Sequence, residues 1–193
     1  MNGLIKSLNK SLFFTAVLMF GGIFLSHAAE LQKFTNAILI DNPANDGDSF
    51  LVEADGKPLH VRLYFVDCPE TSISSKSDAR RVREQTRYFG LTNAEHTIHF
   101  GNESKTFVEG ILAKPFTVYT AFASAMGRSS KGRVYGFITT SDGDNLANLL
   151  VKNGLSRTHG IGRKTPDGIL RNEMIERLRD FGNVETHWHL VKE

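Results

Sequence analysis

The chain has 193 residues, 40% of them hydrophobic and 23% charged, with a single cysteine. That length supports one domain with a sizeable core, and a lone Cys68 excludes an internal disulfide framework. Lysine and arginine number 23 against 21 acids; Lys6 and Lys10 lie ahead of residue 29, so residues 29–193 carry 21 charges of each sign. A neutral chain is not built for long-range capture of nucleic acid, whose non-specific affinity rests on phosphate neutralisation, so an anionic ligand here would need local arginines and a bound cation.

Residues 1–28 read as a signal peptide. Lys6 and Lys10 form a positive start, residues 12–25 are an apolar run too short to span a bilayer comfortably, and Ser26-His27-Ala28 supplies small residues at the cleavage positions. Cleavage before Ala29 is expected, giving an exported protein, periplasmic or secreted, with no stable membrane insertion afterwards. An uncleaved anchor holding a surface-associated structural protein is the weaker reading. Residues 29–33 form a tether, and the apolar run Ala37-Ile38-Leu39-Ile40 places a strand over 34–40. Turn residues at 42–47 lead to a strand over 49–54, with Phe50 and Val52 on one face. Asp55-Gly56-Lys57-Pro58 signals a hairpin turn. Leu59, Val61, Leu63 and Phe65 then alternate with His60, Arg62, Tyr64 and Val66, the two-residue period of a strand over 59–66, and Pro69 stops it near Asp67. The hairpin delivers Asp48 and Asp67 to matching ends of neighbouring strands.

Residues 72–102 are polar. Ala79, Val82 and Phe89 suggest a helix over 78–89 with a solvated charged face. Asn102-Glu103-Ser104 is placed to cap a helix bearing Phe107, Val108, Ile111 and Leu112. A strand over 116–122, a basic loop over 127–132 and a strand over 133–139 follow. The turn Asp142-Gly143-Asp144-Asn145 opens a helix with Leu146, Leu149, Leu150 and Val151, ended by Gly154. Thr165-Pro166-Asp167 opens a last helix carrying Ile169, Leu170, Met174, Ile175 and Leu178. The expected fold is α+β, mainly β: a five-stranded barrel of OB-fold type with three to four packed helices, in one domain over 29–193.

The chemistry concentrates in two acidic corners. Asp48 and Asp67 offer hard oxygen ligands and the Cys68 main-chain carbonyl a third, a set that favours one calcium ion over zinc. Asp46-Gly47-Asp48 does not open an EF-hand, because no glutamate stands at the twelfth position; Asp142-Gly143-Asp144 is a turn and cap. Arg62 and Arg133 are each able to clamp a phosphate through paired N–H donors, and Glu70 to orient or deprotonate a water. Taken singly, each is more often a surface residue; the set on one barrel end is what points to catalysis. Cys68 has no evident histidine partner for nucleophilic work, His187-Trp188-His189 is an incidental tail motif, and His159 is a surface or cleft residue.

Asp46-Gly47-Asp48-Ser49, the block from Arg62 to Thr71, Gly132-Arg133, and Leu149, Val151, Gly154 and Leu155 together resemble the staphylococcal nuclease (thermonuclease) family over most of residues 34–183. The resemblance implies a calcium-dependent phosphodiesterase on an OB-fold barrel, acting on DNA and RNA and leaving 3′-phosphate ends. By position it implies Asp48, Asp67 and the Cys68 carbonyl as metal ligands and Arg62, Glu70 and Arg133 as catalytic residues; Arg128 is a rival for Arg133, which is favoured because Gly132-Arg133 leads directly into a strand. The sequence departs from the family in three places. Cys68 replaces a threonine, Gly160 and Gly162 stand where base-stacking tyrosines would be sought, and the 72–102 segment is longer than the minimal loop. The expected partner is a nucleic-acid substrate, and the expected state a monomer. The competing reading is a non-catalytic OB module that binds single-stranded nucleic acid or a protein; retention of all five charged site residues favours the enzyme.

Overall fold

The computed structural model describes residues 29–125 and 132–184. The expected signal peptide, Arg128, most of the basic loop and the His187–His189 motif lie outside them. In chain order the elements are β1 (Gln32–Leu39), β2 (Ser49–Ala54), β3 (Lys57–Leu63), β4 (Val66–Asp67), α1 (Lys76–Tyr88), α2 (Ala94–Ile111), β5 (Phe116–Ser124), β6 (Arg133–Thr139), α3 (Leu146–Lys152), β7 (Arg157–Thr158) and α4 (Arg171–Val184). Five strands close a barrel in the order β1-β2-β3-β6-β5, the OB-type architecture read from the sequence. No helix among the described residues is long and apolar enough to cross a membrane.

The β2–β3 hairpin sets the register of the site. Asp55 and Gly56 both take positive φ, at 54° and 69°, the combination that matches a two-residue turn to strand twist. Ala54 therefore pairs with Lys57, and counting back, Ser49 pairs with Arg62. Phe50, Val52 and Val61 point into the barrel and are fully buried. β6 runs parallel to β3 and closes the barrel, with His60 beside Arg133 and Arg62 beside Tyr135. This pairing brings Arg133, distant in sequence, to the strand that carries Arg62.

The strand expected over 59–66 is two elements. β3 ends at Leu63, Phe65 adopts a left-handed φ of 71°, and Val66–Asp67 then pairs with β7 in a separate two-stranded ladder. The break has a packing cause. The Phe65 ring is fully buried and fills the space over Gly162, where any Cβ would overlap it, while Phe65 N donates to Ile161 O at 2.8 Å. Leaving the barrel at this point lets the chain join the 157–162 segment and turns Asp67 toward Arg157.

Other differences concern ends. β1 starts at Gln32, inside the expected tether, and bulges between Phe34 and Ala37, where Asn36 has φ 57°. α2 begins at Ala94, with Asn93 Oδ1 capping His96 N at 2.9 Å, so Asn102 and Ser104 lie within the helix rather than at its start. Its buried face is Thr97, Phe100, Gly101, Ser104 and Val108, too small and polar to register as an apolar stripe. α4 begins only at Arg171, because Thr165–Gly168 closes a turn of its own: Gly168 N donates to Thr165 O at 3.0 Å and Ile169 N to Thr165 Oγ1 at 2.8 Å. Met174, Ile175 and Leu178 are buried as expected, whereas Leu170 is exposed.

α2 presses on the 67–70 corner through Gly101, where a Cβ would overlap the Glu70 carbonyl and crowd the Pro69 carbonyl. Gly101→Ala is expected to destabilise the fold by about 1–3 kcal/mol through overpacking, read as a fall in the urea midpoint; an unchanged midpoint would show that the helix has room to shift.

Candidate active site

The site is built from the ends of the barrel strands. Asp46 Oδ1 accepts from Asp48 N at 3.0 Å and Ser49 N at 2.7 Å, which fixes the corner before β2. Gly47 lies where a Cβ would come within 2.8 Å of Ser104 Cβ and 2.9 Å of Cys68 Cβ, so the corner is wedged between α2 and the segment after β4. Asp48 is almost wholly buried. Its Oδ1 pairs with Arg62 Nη1 at 2.7 Å, and its Oδ2 accepts from Cys68 N at 2.6 Å. The other Nη of the same guanidinium pairs with Asp67 Oδ1 at 2.9 Å. Arg62 thus bridges the two carboxylates that the sequence singled out. Arg133 reaches the same end of the barrel, its Nη1 donating to Ser49 Oγ at 3.1 Å, directly across the hairpin from Arg62. Its Nε is buried with no partner among the described residues.

Glu70 follows the Pro69 turn. Its carboxylate pairs with Arg81 Nε at 3.1 Å, and Arg81 Nη2 also holds Asp78 Oδ1 at 2.8 Å. Burial pushes the Glu70 carboxyl up to about 7; Arg81 opposes this, and Asp46 and Asp67 add to it. Burial likewise raises Asp48, with Arg62 pulling the other way and Asp46 and Asp67 pushing further up. Asp67 is buried too, but Arg62 and Arg157 outweigh the burial and hold it below the ordinary carboxylate range. The Arg62 guanidinium, despite burial, is held firmly charged by Asp48 and Asp67. Burial raises the Cys68 thiol, and Asp48 and Asp46 push it the same way. His159 is half-buried, and burial lowers it against the pull of Asp67.

Three residues of this site, Arg157, Arg81 and Gln85, were not singled out from the sequence, and Asp46, noted there within the acidic corner, was given no role. Asp46 shapes the turn. Arg157, from β7, gives its Nε to Asp67 Oδ2 at 2.8 Å. Arg81 and Gln85 come from α1, inside the segment whose purpose the sequence left open. Gln85 Nε2 donates to Cys68 O at 2.9 Å and lies 3.3 Å from Asp67 Oδ2, while its Oε1 accepts from Glu70 N at 3.0 Å. A glutamine and an arginine within an arginine-rich helix read as a solvated face; only the fold shows that Gln85 turns inward and that Arg81, though exposed, meets Glu70.

The donor set fits a hard divalent cation. Two carboxylates converge on one guanidinium, main-chain oxygen is adjacent, and the one sulfur is a buried thiol. No cluster of three or more histidine, cysteine, aspartate or glutamate side chains placed to hold a metal occurs among the described residues, so a cation here would rest on two carboxylates, the Cys68 carbonyl and water. That carbonyl already accepts from Gln85, which leaves its second lone pair.

Residues 60–175 match the family model described as staphylococcal nuclease homologue. No curated protein matches the chain.

Proposed function

The chain belongs to the staphylococcal nuclease homologue family, and on that premise we propose that it is an exported, calcium-dependent endonuclease that hydrolyses the DNA or RNA backbone and leaves 3′-phosphate ends. The observation that carries the reading is the Arg62 guanidinium held between Asp48 and Asp67, with Arg133 on the same barrel end. Asp48, Asp67 and the Cys68 carbonyl would hold calcium, which when bound offsets charge on a phosphate.

The protein's own groups account for the rest. Arg62 and Arg133 donate N–H bonds to the non-bridging oxygens of the scissile phosphate and oppose the charge that grows there. Glu70 orients the attacking water and takes its proton. The water oxygen bonds to phosphorus as the bond to the 5′ oxygen breaks, and the 5′ oxygen leaves as an alkoxide that takes a proton from solvent water. Glu70 meets this task by exchanging its pair with Arg81, an exposed arginine whose ion pair is worth little. The positive start, apolar run and small residues of 1–28 support export, and the charge balance of the chain suits a monomer that depends on local arginines rather than on a basic surface.

Digestion of a labelled oligonucleotide tests the reading. Cleavage is expected with calcium, none with chelator, and about a 10²–10⁴-fold loss in Glu70→Gln. Cleavage that survives chelation, or a fully active Glu70→Gln, would overturn it; binding without cleavage would point to the non-catalytic module.

A further inference from the structure

α1 is the largest element in the 72–93 segment, and it contributes a side chain with no evident task in a solvated helix. Gln85 is fully buried. Burying an amide costs free energy unless its hydrogen bonds are met, and a leucine would pack α1 at least as well. The three partners that Gln85 does find are Cys68 O, Asp67 Oδ2 and Glu70 N. All belong to the four-residue corner 67–70, which holds two of the expected cation ligands and the expected base. Arg81, one turn earlier on the same helix face, meets the Glu70 carboxylate. The helix therefore grips the corner by its side chains and by its main chain.

We propose that Gln85 is a positioning residue for the cation site: its amide holds the Asp67 carboxylate, the Cys68 carbonyl and the Glu70 main chain in a single register, which makes α1 part of the metal-binding apparatus. The inference rests on the nuclease reading above and deepens it. The Gln85 Nε2 ties Asp67 Oδ2 to the Cys68 carbonyl, and its Oε1 ties both to the Glu70 main chain. Without it, the corner keeps its ligands but loses their mutual orientation. Groups that orient metal ligands in this way typically contribute 10–100-fold to metal affinity or activity.

The test is calorimetric titration of the folded protein with calcium, comparing wild type, Gln85→Met and Val82→Ala. Methionine keeps the length of the side chain and removes both hydrogen-bonding ends. Val82 is buried on the same helix, is no part of the site, and its truncation loosens α1. Thermal midpoints are measured beside each titration. Gln85→Met is expected to weaken calcium binding by about 10–100-fold, while Val82→Ala, at an equal or larger fall in midpoint, binds calcium as the wild type does. Equal affinity in Gln85→Met, or an equal loss in Val82→Ala, overturns the positioning role. A wild-type protein that binds no calcium and cleaves no DNA overturns the nuclease reading itself, and the two failures are told apart by the wild-type titration.

Discussion

Replacing Arg133 by alanine is expected to lower phosphodiester turnover by about 10²–10³-fold, the usual cost of one donor aimed at developing charge, while moving the thermal midpoint little. The asymmetry follows from how the side chain is held. Among the described residues the Arg133 side chain makes one hydrogen bond, to Ser49 Oγ, and its Nε is unmatched. The fold loses little when it goes: one bond of about 1 kcal/mol, partly offset because an unmatched buried donor goes with it. Its worth lies in what arrives between it and Arg62. Steady-state kinetics and a melting curve on the same preparation decide the matter. Undiminished turnover would remove Arg133 from the chemistry, and a collapse of the midpoint would make it a structural residue.

Arg62→Ala should behave differently, because Arg62 neutralises two buried carboxylates at once. Removing one partner of a buried ion pair typically costs about 3–5 kcal/mol, since the charge left behind is uncompensated. Activity should fall at least as far as in Arg133→Ala, and the calcium-free protein should be markedly less stable. A further result separates the two roles of this side chain. A divalent ion held by Asp48 and Asp67 supplies part of the missing positive charge, so calcium should raise the midpoint of Arg62→Ala more than that of the wild type, by mass action on the folded state. Melting curves with calcium and with chelator measure this. Equal calcium shifts in the two proteins would mean that the ion does not sit against these carboxylates.

The barrel was legible wherever local signals act alone. Alternation and the Asp55-Gly56 turn set β2 and β3 apart, and β-branched and aromatic content marked β5 and β6. What escaped were features decided by contacts across the chain. The split of the third strand depends on Phe65 filling the space over Gly162, nearly a hundred positions away. The start of α2 was hidden because its buried face mixes Phe100 and Val108 with Thr97, Gly101 and Ser104, the last two small enough to let Gly101 lie against Glu70 and Ser104 against the Gly47 corner. At the site, the acids and arginines clustered near β3 stood out as a charged corner. The groups that orient them, Gln85 and Arg157, have no signature in their own neighbourhoods, since a buried glutamine and a surface one look alike until their partners are known.

The parallel pairing of β3 with β6 also governs when the charged cluster is assembled. About seventy residues separate His60 from its neighbour Arg133, and contacts so distant along the chain must await closure of the long loop between them. Asp67 waits longer still, for Arg157. A nascent polypeptide that ends at β5 holds Asp48, Arg62, Asp67 and Glu70 but lacks Arg133 and the strand that seals the barrel, so the cluster is completed in one late step instead of accumulating during synthesis.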